Sequence, residues 1–322
     1  MKDIMNYEKF KSDLKKLLET ELANRNIDVE KITEEKIEKM NESYDAIVIK
    51  PAGASIATVI HTKDAFEAFK SGTELREMIL GAPEEDAELK AMVRTIADDI
   101  ENEPQFDLSV FDDYKKVKSR LSMQIVSAEK NAELLENVPH DRIEDMAVVY
   151  RILMTQPGSG NGTATTLVTN AMLKKYGITD SQLKKDAMRI APQTKPVKIR
   201  DMSETVKDFD LELSPDVSVE DGKIFVASVT DNLYGAAIIA YPNFLNTVAA
   251  MLRSDFFVLP TSIHEIILIK DDGNVDADDL KNLVTAVNAA QVDPADQLTD
   301  NVYHYDMYSN VFEMAGNQPA VN

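Results

Sequence analysis

The chain contains no cysteine and no tryptophan, and only four histidines in 322 residues. Without cysteine there is no disulfide framework, no thiolate nucleophile, no cysteine-built zinc finger and no iron–sulfur cluster. A reducing compartment is the matching expectation. Long apolar runs are missing too. The most apolar stretch, 233–245 (LYGAAIIAYPNFL), falls far short of the ~18 residues a membrane helix needs and is broken by Gly235 and Pro242. The opening MKDIMNYEKFKSDLKK is charged throughout and lacks the apolar heart of a signal peptide. These absences predict a cytoplasmic protein that does not enter a membrane.

Positive charge is also scarce. Lys and Arg number 35 against 56 Asp and Glu, a net charge of −21. Such a field repels nucleic-acid phosphates and acidic lipid, so neither is an expected partner, whereas a basic protein is. The excess sits at the ends: residues 1–110 hold 15 basic and 25 acidic residues, 111–253 hold 18 and 19, and 254–322 hold 2 and 12.

What is present is an ordinary globular composition, 44% apolar and 28% charged. Residues 7–24 place Tyr7, Phe10, Leu14, Leu17, Leu18 and Leu22 three or four apart, which predicts an amphipathic helix. Residues 44–50 and 54–61 are rich in β-branched residues and flank Pro51-Ala52-Gly53, predicting a hairpin. Helices follow over 63–71 and 73–80, split at Gly72, and over 84–102. The polar, proline-bearing stretch 101–107 is the expected boundary between a helix-rich α+β lobe, 1–105, and a strand-rich α+β lobe, 106–322.

Beyond it, alternation predicts half-buried strands over 117–125 and 143–155, with a short helix over 129–136 between them. Thr179 and Gln182 fit a capping box for a helix that Pro192 should end near Ile190. Strands are expected at 197–200, 223–229, 235–240, 255–260, 264–270 and 301–308, the last paired with 310–314. Helices are expected after Pro242, with Phe244, Leu245, Val248, Met251 and Leu252 inward, and over 277–290, capped by Asp276. Residues 193–222 are otherwise irregular, apart from the strand at 197–200, and the tail 315–322 is expected to be loose. The mixed order of elements and the short turns predict an α+β fold, mainly antiparallel sheets with helices packed on one face, in two lobes.

Gly158-Ser159-Gly160-Asn161-Gly162, followed by Thr163-Ala164, invites a phosphate loop. A phosphate loop needs a lysine and Ser/Thr directly after its last glycine and a helix beginning there; neither is present, and the third glycine of a dinucleotide fingerprint falls one place early. A hairpin tip explains the glycines. His264-Glu265 opens like a zinc motif, but Leu268 stands where the second histidine belongs. In the stretch 271–279 (DDGNVDADD) no register gives the acidic spacing and terminal glutamate of a calcium loop, and a turn plus helix cap accounts for it. No metal site and no cofactor site is therefore expected.

The stretches ITDSQLKKDAM, KIFVASVTDNLYGAAIIAYPNFLNTVA and DFFVLPTSIHEIILIKDDG together resemble a family of uncharacterised proteins of gut Firmicutes known only as a domain of unknown function. The resemblance runs over most of the chain and is clearest at 140–306. It implies a bacterial protein and carries over no catalytic residue.

One pair remains as candidate chemistry. In a strand Tyr303-His304-Tyr305-Asp306, the imidazole and carboxylate share a face, and a carboxylate can orient a histidine as general base. An edge strand with both groups in water explains them equally. The leading expectation is a binding or interaction protein with acidic surfaces. The alternatives are a hydrolase-like enzyme using His304 and Asp306, and an acidic nucleic-acid mimic that blocks a basic protein. The mimic requires the carboxylates of 84–103 and 271–300 to form one face.

Overall fold

The computed structural model describes residues 5–54, 56–80, 85–102, 108–154, 164–203, 222–260 and 262–316. The glycine stretch 157–162, part of the boundary stretch (103–107), the patternless residues 204–221 and the tail 317–322 lie outside them. Two compact units divide the chain: Met1–Lys39 with Ser43–Leu108, and Met40–Glu42 with Ser109–Asn322.

In the first unit, helix α1 (Tyr7–Asn24) precedes strands β1 (Val29–Lys39), β2 (Glu42–Pro51) and β3 (Thr58–His61), a sheet in the order β1-β2-β3. The Asn6 side chain accepts from the Lys9 amide at 2.9 Å and caps α1. β2 and β3 pair antiparallel, with Gly53 at φ +75° in the turn between them. Phe10, Leu14, Leu18 and Leu22 of α1 share a buried core with Ile47 and Ile49 of β2 and with Leu89 and Val93. The last two belong to α3 (Glu85–Glu101).

Between β3 and α3 runs α2 (Thr62–Leu80), a single helix through Gly72 rather than the expected two. Gly72 lies where the helices meet: a Cβ there would fall 2.4 Å from Glu88 Oε1. The glycine thus permits a close approach instead of breaking the helix.

In the second unit, α4 (Tyr114–Lys118) leads to β4 (Leu121–Ser127), α5 (Ala132–Leu135), β5 (His140–Ile143), β6 (Met146–Met154) and β7 (Ala164–Leu167). β4 pairs with one edge of β6, while β5 and β7 share the other, all antiparallel. β6 and β7 are thus the adjacent antiparallel strands that flank the glycine stretch. The strand expected at 117–125 starts later, because Val117 and Lys118 belong to α4.

β4 is buried on both faces, not one. Leu121, Met123 and Ile125 join the main core with Met146, Val148, Tyr150 and Ile152, while Val126 packs with Ala147, Val149 and Leu135 on the other side. Alternation of polar and apolar residues misleads here because Ser122 and Gln124 are themselves buried.

Helix α6 (Asn170–Tyr176) ends on Gly177 at φ +63°. Thr179 Oγ1 accepts from the Gln182 amide at 3.2 Å and starts α7 (Asp180–Thr194). The Gln182 side chain turns to Asp186 at 2.7 Å instead of reaching back to complete the box. α7 also runs past Pro192. The ring removes one ladder hydrogen bond, but buried Ala191 anchors the last turn, the Lys195 amide closes on its carbonyl at 2.8 Å, and Thr194 Oγ1 donates to the Leu121 carbonyl at 2.9 Å.

The remaining elements are β8 (Val197–Asp201), β9 (Ile224–Val229), a 3-10 helix (Gly235–Ala240), α8 (Phe244–Leu252), β10 (Phe256–Leu259), β11 (Ile266–Lys270), α9 (Ala277–Gln291), β12 (Tyr303–Asp306) and β13 (Val311–Met314). They build a six-stranded antiparallel sheet, β13-β12-β10-β11-β9-β8.

The strand expected at 235–240 is the 3-10 helix, since a short apolar run fits either geometry. Gly235 allows it: a Cβ there would lie 2.0 Å from Ser228 Oγ and 2.3 Å from the His264 carbonyl. Met251, expected inward, is 47% exposed. Phe256 and Val258 enter the main core with the 3-10 helix and α8, while Phe257 and Leu259 pack with Leu280 and Val284 of α9. The fold is α+β with antiparallel sheets. Each sheet uses its own stretch of chain: 29–61, 121–167 and 197–314.

Candidate functional site

β12 places Tyr303 and Tyr305 inward and His304 and Asp306 together on the other face, as strand periodicity requires. The two do not pair. His304 Nε2 lies 3.0 Å from Asp271 Oδ2, and its ring stands edge-on to Phe257, centroids 4.9 Å apart. Asp306 accepts from the amides of Tyr308 and Ser309, both at 2.8 Å, and so builds the turn into β13. Those amide bonds, Ser309 first, hold its carboxyl below the usual range.

The other histidines have structural partners. His61 Nδ1 takes the Asp64 amide at the start of α2, at 3.2 Å. His140 Nδ1 lies 3.0 Å from the Val138 carbonyl. His264 Nδ1 meets the Asn232 carbonyl at 3.2 Å, and its Nε2 lies 3.4 Å from Asp296. Asp271 and Asp272 accept turn amides from Gly273 and Asn274, and Asp276 caps α9. No group of three or more His, Asp or Glu among the described residues is placed to hold a metal ion. No helix among them is long and apolar enough to cross a membrane.

A polar cavity of about 260 Å³ opens elsewhere in the second unit, lined by Ser127, Glu129, Lys130, Asp145, Asn288 and the segment 297–301. Asp145 stands in the turn between β5 and β6, after Glu144 at φ +52°. Its carboxylate accepts from Thr299 Oγ1 at 2.8 Å, Asn301 Nδ2 at 3.0 Å and the Tyr303 hydroxyl. Burial, and then this bond to Asp145, raise the Tyr303 hydroxyl well above the usual tyrosine range. All three donors are neutral. No lysine or arginine among the described residues pairs with Asp145.

Asn288, on α9, is 4% exposed. Its Nδ2 donates to Asp300 Oδ1 at 2.7 Å and to the Thr299 carbonyl at 3.1 Å, while its Oδ1 has no partner. Lys130 is the one cation in the lining, donating to Gln297 Oε1 at 3.2 Å. Three carboxylates, Glu129, Asp145 and Asp300, face that single ammonium. The arrangement favours a positively charged donor of N–H bonds. None of these residues forms a local motif: Asn288 and Thr299 lie eleven positions apart, and Asp145 lies 154 positions from Thr299.

Neither a curated protein nor a solved structure matches the chain. Residues 7–307 match the profile of a family of unknown function, DUF5688, and the chain belongs to that family.

Proposed function

We propose that the protein acts by binding rather than by chemistry, and that the Asp145–Asn288 cavity receives an ammonium or guanidinium group from a basic protein partner. The observation that carries this reading is a carboxylate with no cationic partner among the described residues, lining one cavity with a buried carbonyl oxygen that has no donor. Lysine and arginine side chains offer donors only and a full positive charge, so one such group satisfies both. The size agrees. At about 260 Å³ the cavity lies below the ~300–1,000 Å³ of small-molecule pockets and has room for one long side chain. The net charge of −21 would speed the encounter with a basic partner.

A short lysine-only peptide tests it. Titration should move the Asn288 side-chain amide resonances. D145N should weaken binding about tenfold, or ~1.4 kcal/mol. Equal affinity for D145N and the unaltered protein would place the peptide elsewhere and end the reading.

A second reading rests on the His304–Asp271 pair, a carboxylate-oriented imidazole. In it the hydrolytic base is His304, oriented by Asp271 and not by Asp306. Hydrolysis of an activated ester that H304A loses and D306N keeps would favour it.

A further inference from the structure

We infer that Arg151, with Ser122, Gln124, Thr165 and Tyr234, forms an oxyanion-binding site on the face of the four-stranded sheet that carries Ala147 and Val149. Arg151 is half-buried in β6, and its partners are all neutral. Nη1 donates to Gln124 Oε1 at 2.9 Å, Nε to Thr165 Oγ1 at 2.7 Å, and Nη2 to the Thr165 carbonyl at a long 3.4 Å. The guanidinium carbon lies 4.8 Å from the Tyr234 ring centre. No carboxylate among the described residues pairs with it. Burial pulls its pKa down, and only the Tyr234 side chain works against that pull. A guanidinium taken out of water without a counter-charge is costly.

A second, independent feature stands beside it. Ser122 is the direct cross-strand neighbour of Arg151 in the β4–β6 register, so both side chains leave the same face. Ser122 is 2% exposed and its hydroxyl has no partner. An uncompensated cation and an unsatisfied buried hydroxyl at adjacent positions are corrected by one ligand.

Of the five N–H groups of arginine, three are engaged here, leaving one on each terminal nitrogen. Carboxylate and phosphate oxygens accept such forked donors bidentately, and the Ser122 hydroxyl supplies a third donor. Segment 111–253, which holds these residues, is the part of the chain where charge balances, with 18 basic and 19 acidic residues. An anion approaching it is not opposed as it would be at either end.

Inorganic phosphate and acetate are the probes, with chloride at matched ionic strength as control. At least one probe should raise Tm saturably and shift the Arg151 Nε–H resonance, while chloride does neither. R151M should abolish the rise in Tm, and S122A should weaken apparent affinity severalfold. The inference fails if neither probe moves the Arg151 resonance in the unaltered protein. It also fails if R151M keeps the full stabilisation, which would mean the anion sits elsewhere. Should R151M not fold, the Arg151 resonance and S122A decide between the same two results.

Discussion

Asp145 accepts three hydrogen bonds from side chains more than 150 positions away in sequence, and one of those donors, the Tyr303 hydroxyl, has its residue fully buried. Deleting the carboxylate strands that hydroxyl. D145A should therefore cost about 2–4 kcal/mol in urea unfolding, at the upper end for a lost hydrogen bond because the acceptor is charged. D145N keeps an acceptor and should cost less. Gly235 makes a different demand. A methyl group there meets Ser228 and the His264 backbone at once, and backbone cannot swing aside as a side-chain end can. G235A should destabilise by about 3 kcal/mol, the upper end for overpacking, measured by the same unfolding curves. Neither residue announced itself in the sequence. Glycine before an apolar run reads as a strand start, and Asp145 reads as one polar residue near the start of the strand expected over 143–155.

At the scale of elements, local signals served well where one element decides its own form. Helix α1, the β2–β3 hairpin and Asp276 as a cap were legible because spacing, turn and capping chemistry are short-range. They failed where a neighbour decides. α7 survives Pro192 because its last turn is anchored to β4. β1 has seven charged residues in eleven, and only its place beside β2 makes it a strand. In the first unit, Arg25 bridges α1 and α3, reaching Glu21 at 2.9 Å, Asp98 at 2.5 Å and Glu101 at 3.2 Å. Because these groups meet water, R25M should lower Tm at low ionic strength, and the difference should close at high salt. A difference that ignores salt would mean that packing of the arginine stem matters more than its charge.

For the whole molecule, stability should fall at both extremes of pH, for separate reasons. On the acid side, burial alone would raise the Asp186 carboxyl, but hydrogen bonds from Lys118, Gln182 and Tyr114 outweigh it and hold the group below its usual range. A depressed carboxyl contributes stability that is complete above the unfolded pKa, ~3.9, and is lost as pH falls through the folded value. D186N should flatten that acid limb. On the alkaline side, burial raises Tyr114, Tyr150, Tyr241 and Tyr303, and bonds to Asp186, Asp141 and Asp145 add to this for the first, second and fourth. Unfolded tyrosine ionises near pH ~10, so this stability is present below that pH and is lost above it. Tyrosinate absorbance should show fewer than the ten tyrosines titrating near pH ~10, with the rest ionising only as the circular dichroism collapses. Ten ionising in one reversible wave with the fold intact would contradict the buried hydroxyls.

The separation of the sheets along the chain sets an order of events during synthesis. A ribosome delivers residues 29–61 before 121–167, and both before 197–314, so each sheet has all its strands before the next begins. The main core does not share that independence. Met146, Val148, Tyr150 and Ile152 belong to a core that is complete only once Phe256, Val258 and finally Tyr303 and Tyr305 have been made. A nascent chain paused before β10 already has α7 and the 3-10 helix against β4 but lacks the strands that complete the main core, and that unfinished core is what a chaperone or an aggregating neighbour meets first.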